Sequence, residues 1–494
     1  MLDLPDEVLS LCLLQYHLAR RACKGLRDVF DLYNVRALCL RIGTRNPVEA
    51  SEARRRVIGR TTNLKDMRVS KIERAIEDVE DEDEDVEDED DDGDTVFSGA
   101  GVSALAGCAG LTALDLSGVI GASALAAVCT GLTALDLSRT RATDASVCCT
   151  RLTSLNMSVN SVTDVTPIAA CSMLVDLNLY GCDVTDASPL SACSALTRLI
   201  LGRNDKLTVL PSLTALITLD VHSTGVSGLL PLATNGALAH LDLSDCARVY
   251  DVWPLAACTA LKDLNLRRTK VSHVSSLMAC IGLTKLVFSY TGVTDASSLA
   301  ACIRLKKLYA SRSRLSDVST LATLIGLEEL DLSFVGLHDL SPLAGHTGLV
   351  RLNLSGNVML TDVSPLTGCT RLGELLLNDT EVTNLSPLAG FTGLSKLGMR
   401  LTPLNDADVY TLATCFTGLR TLDLGGTEVT DVSPLANCDR LESLFLNGTD
   451  VSDVSSLSAC TTLVWLDTRY SKASRASCLA LKHALPGLDV LADE

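Results

Sequence analysis

Along most of the chain the apolar residues follow one pattern, LxxLxL, in which leucines alternate with polar positions. The first leucines fall at Leu111, Leu132, Leu152, Leu174, Leu196, Leu216, Leu238, Leu261, Leu283, Leu305, Leu327, Leu349, Leu372, Leu394, Leu419, Leu441 and Leu463. These are seventeen units, and over the sixteen steps from Leu111 to Leu463 the mean spacing is 22 residues. Alternation with period two predicts one short strand per unit. Residues 64–69 and 35–40 (VRALCL) read as degenerate copies of the same pattern. Three positions after the third apolar residue, fifteen of the seventeen units carry a small polar residue or Cys, such as Thr269 or Asn357; Val119 and Val335 are the exceptions. Such a side chain can bond the backbone of a buried turn. A second motif follows, as in Val429-Thr430-Asp431-Val432-Ser433-Pro434-Leu435-Ala436. Asp or Ser starts a turn there, and Pro suits the first turn of a short helix or 3₁₀ segment. One unit of 22 residues buries too little to fold alone, so successive units must stack, their strands parallel and about 4.8 Å apart.

Composition agrees with many small, equivalent core slots. Hydrophobic residues make up 47% of the 494, but aromatics only 3%. Of nineteen cysteines, eleven (Cys108, Cys129, Cys149, Cys171, Cys193, Cys258, Cys280, Cys302, Cys369, Cys438 and Cys460) lie three residues before a first leucine. In that slot they act as small buried hydrophobes. So many free thiols point to a reducing compartment, cytoplasmic or nuclear. The formal charge is −18, yet residues 77–94 alone hold fifteen carboxylates, leaving −3 elsewhere. A run of that kind predicts a disordered acidic linker or insertion. The N-terminus shows no basic segment followed by an apolar stretch, and no window of about 18 apolar residues offers a membrane span.

The segments at 251–269 (DVWPLAACTALKDLNLRRT) and 431–449 (DVSPLANCDRLESLFLNGT) resemble the 22-residue class of leucine-rich repeat. That class includes bacterial internalins and a repeat subunit that regulates a eukaryotic protein phosphatase. The resemblance covers residues 101–471. It implies an α/β fold: a right-handed solenoid with a curved parallel β-ribbon on a concave, protein-binding face and short helices or 3₁₀ turns on the convex one. The N-terminal LPDEVL at 4–9 and CKGLRDVF at 23–30 resemble an F-box, the helical module that docks a substrate receptor onto the Skp-type adaptor of a cullin ubiquitin ligase. That resemblance implies adaptor contacts from Leu4, Pro5, Val8, Leu9, Cys23, Leu26 and Phe30; the alternative is a plain helical cap on the exposed end of the array. Usage rich in Ala, Arg and Thr resembles repeat families of kinetoplastid protozoa. The expected domains are an F-box-like or capping segment at 1–60, a degenerate repeat at 61–76, the acidic run at 77–98, the repeats at 99–475, and a C-terminal cap at 476–494.

Positions three, five, seven and eight of LxxLxLxx should face outward from the strands. There the middle repeats carry Arg198, Arg203, Arg267, Arg268, Lys285, Tyr290, Lys307, Tyr309, Arg312, Phe334 and Arg351. Arg and Tyr are enriched at interface hot spots, so these residues predict a partner-binding face. Residues 267–312 would be its centre and an acidic or phosphorylated protein segment its ligand, with the acidic run as an internal competitor. The negative overall charge disfavours nucleic acid. Seven scattered histidines, with no HExxH, phosphate loop or GxSxG, give no catalytic, metal or cofactor-binding residues. The expected function is non-catalytic protein binding, as an F-box-like substrate receptor. The alternatives are a scaffold or regulatory subunit without a ligase link, and an adhesin exported by a non-classical route.

Overall fold

The structure, a computed structural model, describes residues 112–118, 131–145 and 150–493, together with the strands Ala37–Leu38 and Asp66–Arg68. The F-box-like residues 4–30 and the acidic run lie outside the described residues. The chain divides into two compact units, Met1–Leu238 and Ala239–Glu494.

In the first unit the strands are β1 (Ala37–Leu38), β2 (Asp66–Arg68), β3 (Ala113–Asp115), β4 (Ala134–Asp136), β5 (Ser154–Asn156), β6 (Asp176–Asn178), β7 (Arg198–Ile200) and β8 (Thr218–Asp220). Each pairs in parallel with the next. In the second unit they are β9 (His240–Asp242), β10 (Asp263–Asn265), β11 (Lys285–Val287), β12 (Lys307–Tyr309), β13 (Glu329–Asp331), β14 (Arg351–Asn353), β15 (Glu374–Leu376), β16 (Lys396–Gly398), β17 (Thr421–Asp423), β18 (Ser443–Phe445), β19 (Trp465–Asp467) and β20 (Asp489–Leu491), again all parallel and consecutive. The register is that of the repeat: Leu264 faces Leu286, which faces Leu308 and then Leu330. The fold class is the expected one, α/β, a right-handed leucine-rich-repeat solenoid.

One repeat shows how the pattern becomes a core. In residues 261–282, Leu261, Leu264, Leu266, Val271, Val274, Leu277 and Cys280 are all buried. The three leucines come from the strand half. The others come from a return half built on the 3₁₀ segment Ser275–Ala279. The Asp that starts this half caps it in unit after unit: Asp431 Oδ1 accepts from the Ser433 amide at 2.7 Å, and Pro434 sits in the first turn. Five of the cysteines in the slot after the 3₁₀ segment, Cys193, Cys280, Cys302, Cys369 and Cys460, donate their thiols to a carbonyl one repeat back. Examples are Cys280 to Leu255 at 3.5 Å and Cys460 to Leu435 at 3.2 Å. The described cysteines are all free. Burial pushes the Cys280 thiol up to about 12 and its neighbours Cys258 and Cys302 to about 11, so these are packing groups rather than nucleophiles.

The polar residue that follows the strand mostly works as the pattern predicts, in two grades, while the buried Ser313 hydroxyl has no hydrogen-bond partner. A threonine serves only its own turn, as when Thr269 Oγ1 donates to the Leu266 carbonyl at 2.7 Å. An asparagine spans two. Asn357 Nδ2 donates to the Leu354 and Leu332 carbonyls at 2.6 and 3.0 Å. Its Oδ1 accepts from the amides of Val335, Gly336 and Leu337 at 3.3, 2.9 and 2.8 Å. Val335 is an exception in the sequence pattern, and its turn is served by the next repeat's asparagine.

Among the described residues, two helices depart from the repeat. α1 (Asp406–Cys415) replaces the 3₁₀ segment, opened by a capping box in which Asn405 accepts from the Ala407 amide at 2.9 Å and Asp408 accepts from the Asn405 amide at 2.9 Å. α2 (Arg475–Ala484) precedes β20, so the region expected to be a cap adds a strand paired to β19.

Candidate partner-binding face

Positions three and five of most strands alternate with the buried leucine between them and stay at least partly open, as with Asp263 and Asn265 around Leu264; Ile200, Glu329, Gly398 and Asp467 are the buried exceptions. Position eight has a different constraint. In every one of the seventeen units it has φ between +53° and +77°, the left-handed region, and five of the seventeen are glycine. The reason is local. The amide at position eight continues the ladder, as Tyr290 does by donating to the Ser311 carbonyl at 2.8 Å, while the chain turns so that position nine enters the core. Glycine takes this conformation freely, whereas an L side chain costs about 1–2 kcal/mol. Four consecutive repeats of the second unit nevertheless carry large side chains there: Arg268, Tyr290, Arg312 and Phe334.

These four form an alternating column. The Arg268 guanidinium lies 5.3 Å from the Tyr290 ring centroid and that of Arg312 lies 5.7 Å from it. Arg312 also stacks 3.9 Å from the Phe334 ring. Arg267, at position seven, is the third guanidinium around Tyr290, at 5.8 Å. Phe334 in turn covers Gly356, where a Cβ would meet the ring at 2.3 Å, so the glycine gives the ring its place. Tyr290 and Phe334 remain 43% and 41% exposed, which leaves aromatic surface open to a ligand. The column is bounded on one side by Asp245, also at position eight, 3.6 Å from Arg268. Among the described residues Arg267 and Arg312 have no carboxylate within 4 Å. Lys285, exposed on β11, adds a further positive charge.

The expected site therefore splits. Arg198 and Arg203 belong to the first unit, where Arg198 pairs with Asp176 at 3.0 Å and Arg203 lies 5.9 Å from the Tyr180 ring. In the second unit Lys307, Tyr309 and Arg351 are not free cation and hydroxyl groups at all. All three converge on Glu329. Lys307 Nζ lies 2.9 Å from the carboxylate, the Tyr309 hydroxyl donates to it, and Arg351 donates to it from the other side. Burial works to raise the Glu329 pKa, but the hydrogen bonds from Lys307, Tyr309 and Arg351 outweigh it and hold it at about 2. Burial and the bond to Glu329 push the Tyr309 phenol up to about 12.

Glu329 is the functional residue that a reading of cations alone misses. The signal was present, since position three of consecutive units reads Lys285, Lys307, Glu329, Arg351, Glu374, Lys396. Opposite charges one repeat apart face each other across parallel strands and pair, as Lys396 does with Glu374 at 2.7 Å. What stays positive is the position-seven and position-eight cluster with Lys285. Among the described residues no group of His, Cys, Asp and Glu could hold a metal ion, and no helix is long and apolar enough to cross a membrane.

No protein-family model matches the chain, and no curated protein does. Among solved structures it is similar to a leucine-rich-repeat protein of Leptospira interrogans, at 17% identity over 78% of this chain and 91% of that one, with a TM-score of 0.55. It is also similar to the leucine-rich-repeat ectodomain of a plant membrane receptor kinase from Arabidopsis thaliana, solved in complex with Casparian strip integrity factor 2. That similarity is 17% identity over 88% of this chain and 62% of that one, with a TM-score of 0.55. An internalin from Listeria monocytogenes shares 26% identity over 68% of this chain and 85% of that one, with a TM-score of 0.48. The first two support the leucine-rich-repeat fold.

Proposed function

We propose that this chain is a non-catalytic protein-binding module whose second unit captures an acidic segment of a partner protein on its strand face. The observation that carries the reading is the column Arg268, Tyr290, Arg312 and Phe334. Four successive repeats place large side chains at a backbone position where glycine is cheapest, and those side chains are half-open cations and aromatics. Stacking within the column offsets part of the backbone cost, and the aromatic and cationic surface left open is what a ligand can use. The position-three pairs around Glu329 keep the neighbouring strand surface ordered and nearly neutral.

Within this reading the partner is a substrate, brought to a cullin-type ubiquitin ligase in a cytoplasmic or nuclear setting. The F-box-like residues Leu4, Pro5, Val8, Leu9, Cys23, Leu26 and Phe30 are the support for that finer role. Capture with a purified Skp-type adaptor tests it: the intact chain should retain the adaptor and a variant lacking residues 1–60 should not. No adaptor on the intact chain would leave the scaffold reading in its place. For the face itself, partners crosslinked to the wild-type chain should be lost from the double variant Arg267→Glu, Arg268→Glu and kept by Arg420→Ala, whose guanidinium is paired with Glu442 away from the column. Equal recovery by the double variant would overturn the reading.

A further inference from the structure

Three guanidinium groups lie within 5.8 Å of the centroid of one tyrosine ring: Arg267, Arg268 and Arg312 around Tyr290. Like charges gathered this closely repel one another. A surface that only needed to be soluble, or only mildly attractive to acidic chains, would spread them or pair them, as this protein does with Lys307, Arg351 and Lys396. Here one carboxylate, Asp245, sits 3.6 Å from one of the three, and the cluster keeps a net charge of two.

The backbone at position eight fixes where the cluster stands. Arg268, Tyr290 and Arg312 each occupy the left-handed backbone region, with φ of 55°, 59° and 53°. Arg312 is further oriented by stacking on Phe334, whose ring rests over Gly356. The position-eight backbone and side-chain stacking thus gather three guanidinium groups around the Tyr290 ring. We infer that this cluster is a binding site for a phosphomonoester on the partner segment, a dianion whose charge matches the net charge of the site. This rests on the proposal that the second unit binds a protein segment, and specifies what that segment carries.

The chemistry favours this over the two nearest alternatives. A single glutamate or aspartate brings one charge and two oxygens, and would leave one guanidinium without a partner. A phosphomonoester brings three oxygens and a charge of about −1.5 to −2 at neutral pH, and guanidinium binds it through paired N–H donors. A single strand of nucleic acid offers phosphodiesters, each with one charge, spaced along a backbone. It would require a cationic track, whereas beyond this cluster position three alternates in sign.

The test uses the full chain and four immobilised peptide pools of one degenerate composition. They differ only at the central residue: phosphoserine, phosphotyrosine, serine or glutamate. A twelve-residue oligouridine is the fifth probe. At least one phosphorylated pool should be retained about tenfold or more above the serine and glutamate pools. Which of the two is retained identifies the phosphorylated residue. Retention should rise between about pH 5 and 7, where the phosphomonoester gains its second charge and arginine does not titrate. It should fall at least about tenfold in Arg267→Gln and in Arg312→Gln, with Arg420→Gln as the folded comparator. Equal retention of the glutamate and phosphorylated pools would overturn the phosphomonoester site while leaving the acidic-segment reading intact. Retention of no peptide pool would sink both, and tighter binding of the oligouridine would replace the protein ligand with RNA.

Discussion

Glu329 ties stability to the binding face, and Glu329→Gln is the change that separates the two. A carboxyl held at about 2 in the fold, against 4.5 when free, stabilises the folded state at neutral pH by about 3 kcal/mol. Solvent around Lys307 and Arg351, 42% and 54% exposed, screens part of this and leaves about 1.5–3 kcal/mol. The direction with pH follows from the depressed pKa. Above about 4.5 the contribution is complete, because folded and unfolded carboxyls are both ionised. As the pH falls towards about 2 the unfolded chain binds a proton that the folded chain does not, and the contribution is lost; by pH 3 roughly half remains. Urea unfolding midpoints of the wild type and the variant, measured at pH 7 and pH 3, check this. The wild type should be more stable at pH 7 and the gap should narrow at pH 3. Equal midpoints at pH 7, or a gap unchanged at pH 3, would refute the account of Glu329 as a hydrogen-bonded ionised hub. The same variant releases Lys307 and Arg351, so an acidic partner should bind it more tightly than it binds the wild type.

Two further changes probe the core. Asn357→Ala removes five hydrogen bonds that serve two turns and should cost about 4–5 kcal/mol, whereas Asn357→Thr keeps one of the five, the bond to Leu354 that threonines make elsewhere, and should cost only about 1 kcal/mol less; wild-type stability of the threonine variant in a urea titration would contradict the two-turn role. His346 fills the slot that cysteine holds in other repeats, fully buried, with neither ring nitrogen bonded. Burial lowers its pKa from 6.5, against a weaker opposing pull from the Leu343, Leu321 and Leu324 carbonyls. The unfolded chain therefore binds the proton first, and stability should fall as the pH drops below about 6.5, by up to about 1.4 kcal/mol per pH unit. His346→Leu, which copies Leu324 in the preceding repeat, should remove that slope; parallel wild-type and variant curves between pH 7 and 5 would count against it.

The repeat was legible in the chain from its 22-residue spacing and period-two alternation, because those are statements about which atoms can leave water. Leucines at positions one, four and six can be buried only if each unit forms a strand and lies on its neighbour, and that requirement leaves little choice of fold. The same spacing told which residues stand side by side: a column of the sequence read every 22 residues is a column on the surface. Two things could not be read that way. One was which cations keep their charge open to solvent. The spacing sets Glu329 between Lys307 and Arg351, but whether one carboxylate reaches both depends on how the side chains pack, which is how Glu329 drew Lys307 and Arg351 out of the expected site. The other was the backbone at position eight. Its left-handed turn follows from two demands met at one residue, a ladder hydrogen bond to the next repeat and entry of position nine into the core. Neither demand exists until the repeats are stacked. That turn brings Arg267, Arg268 and Arg312 around Tyr290, so the convergence belongs to the packed array, while the identities of the four residues were in the sequence all along.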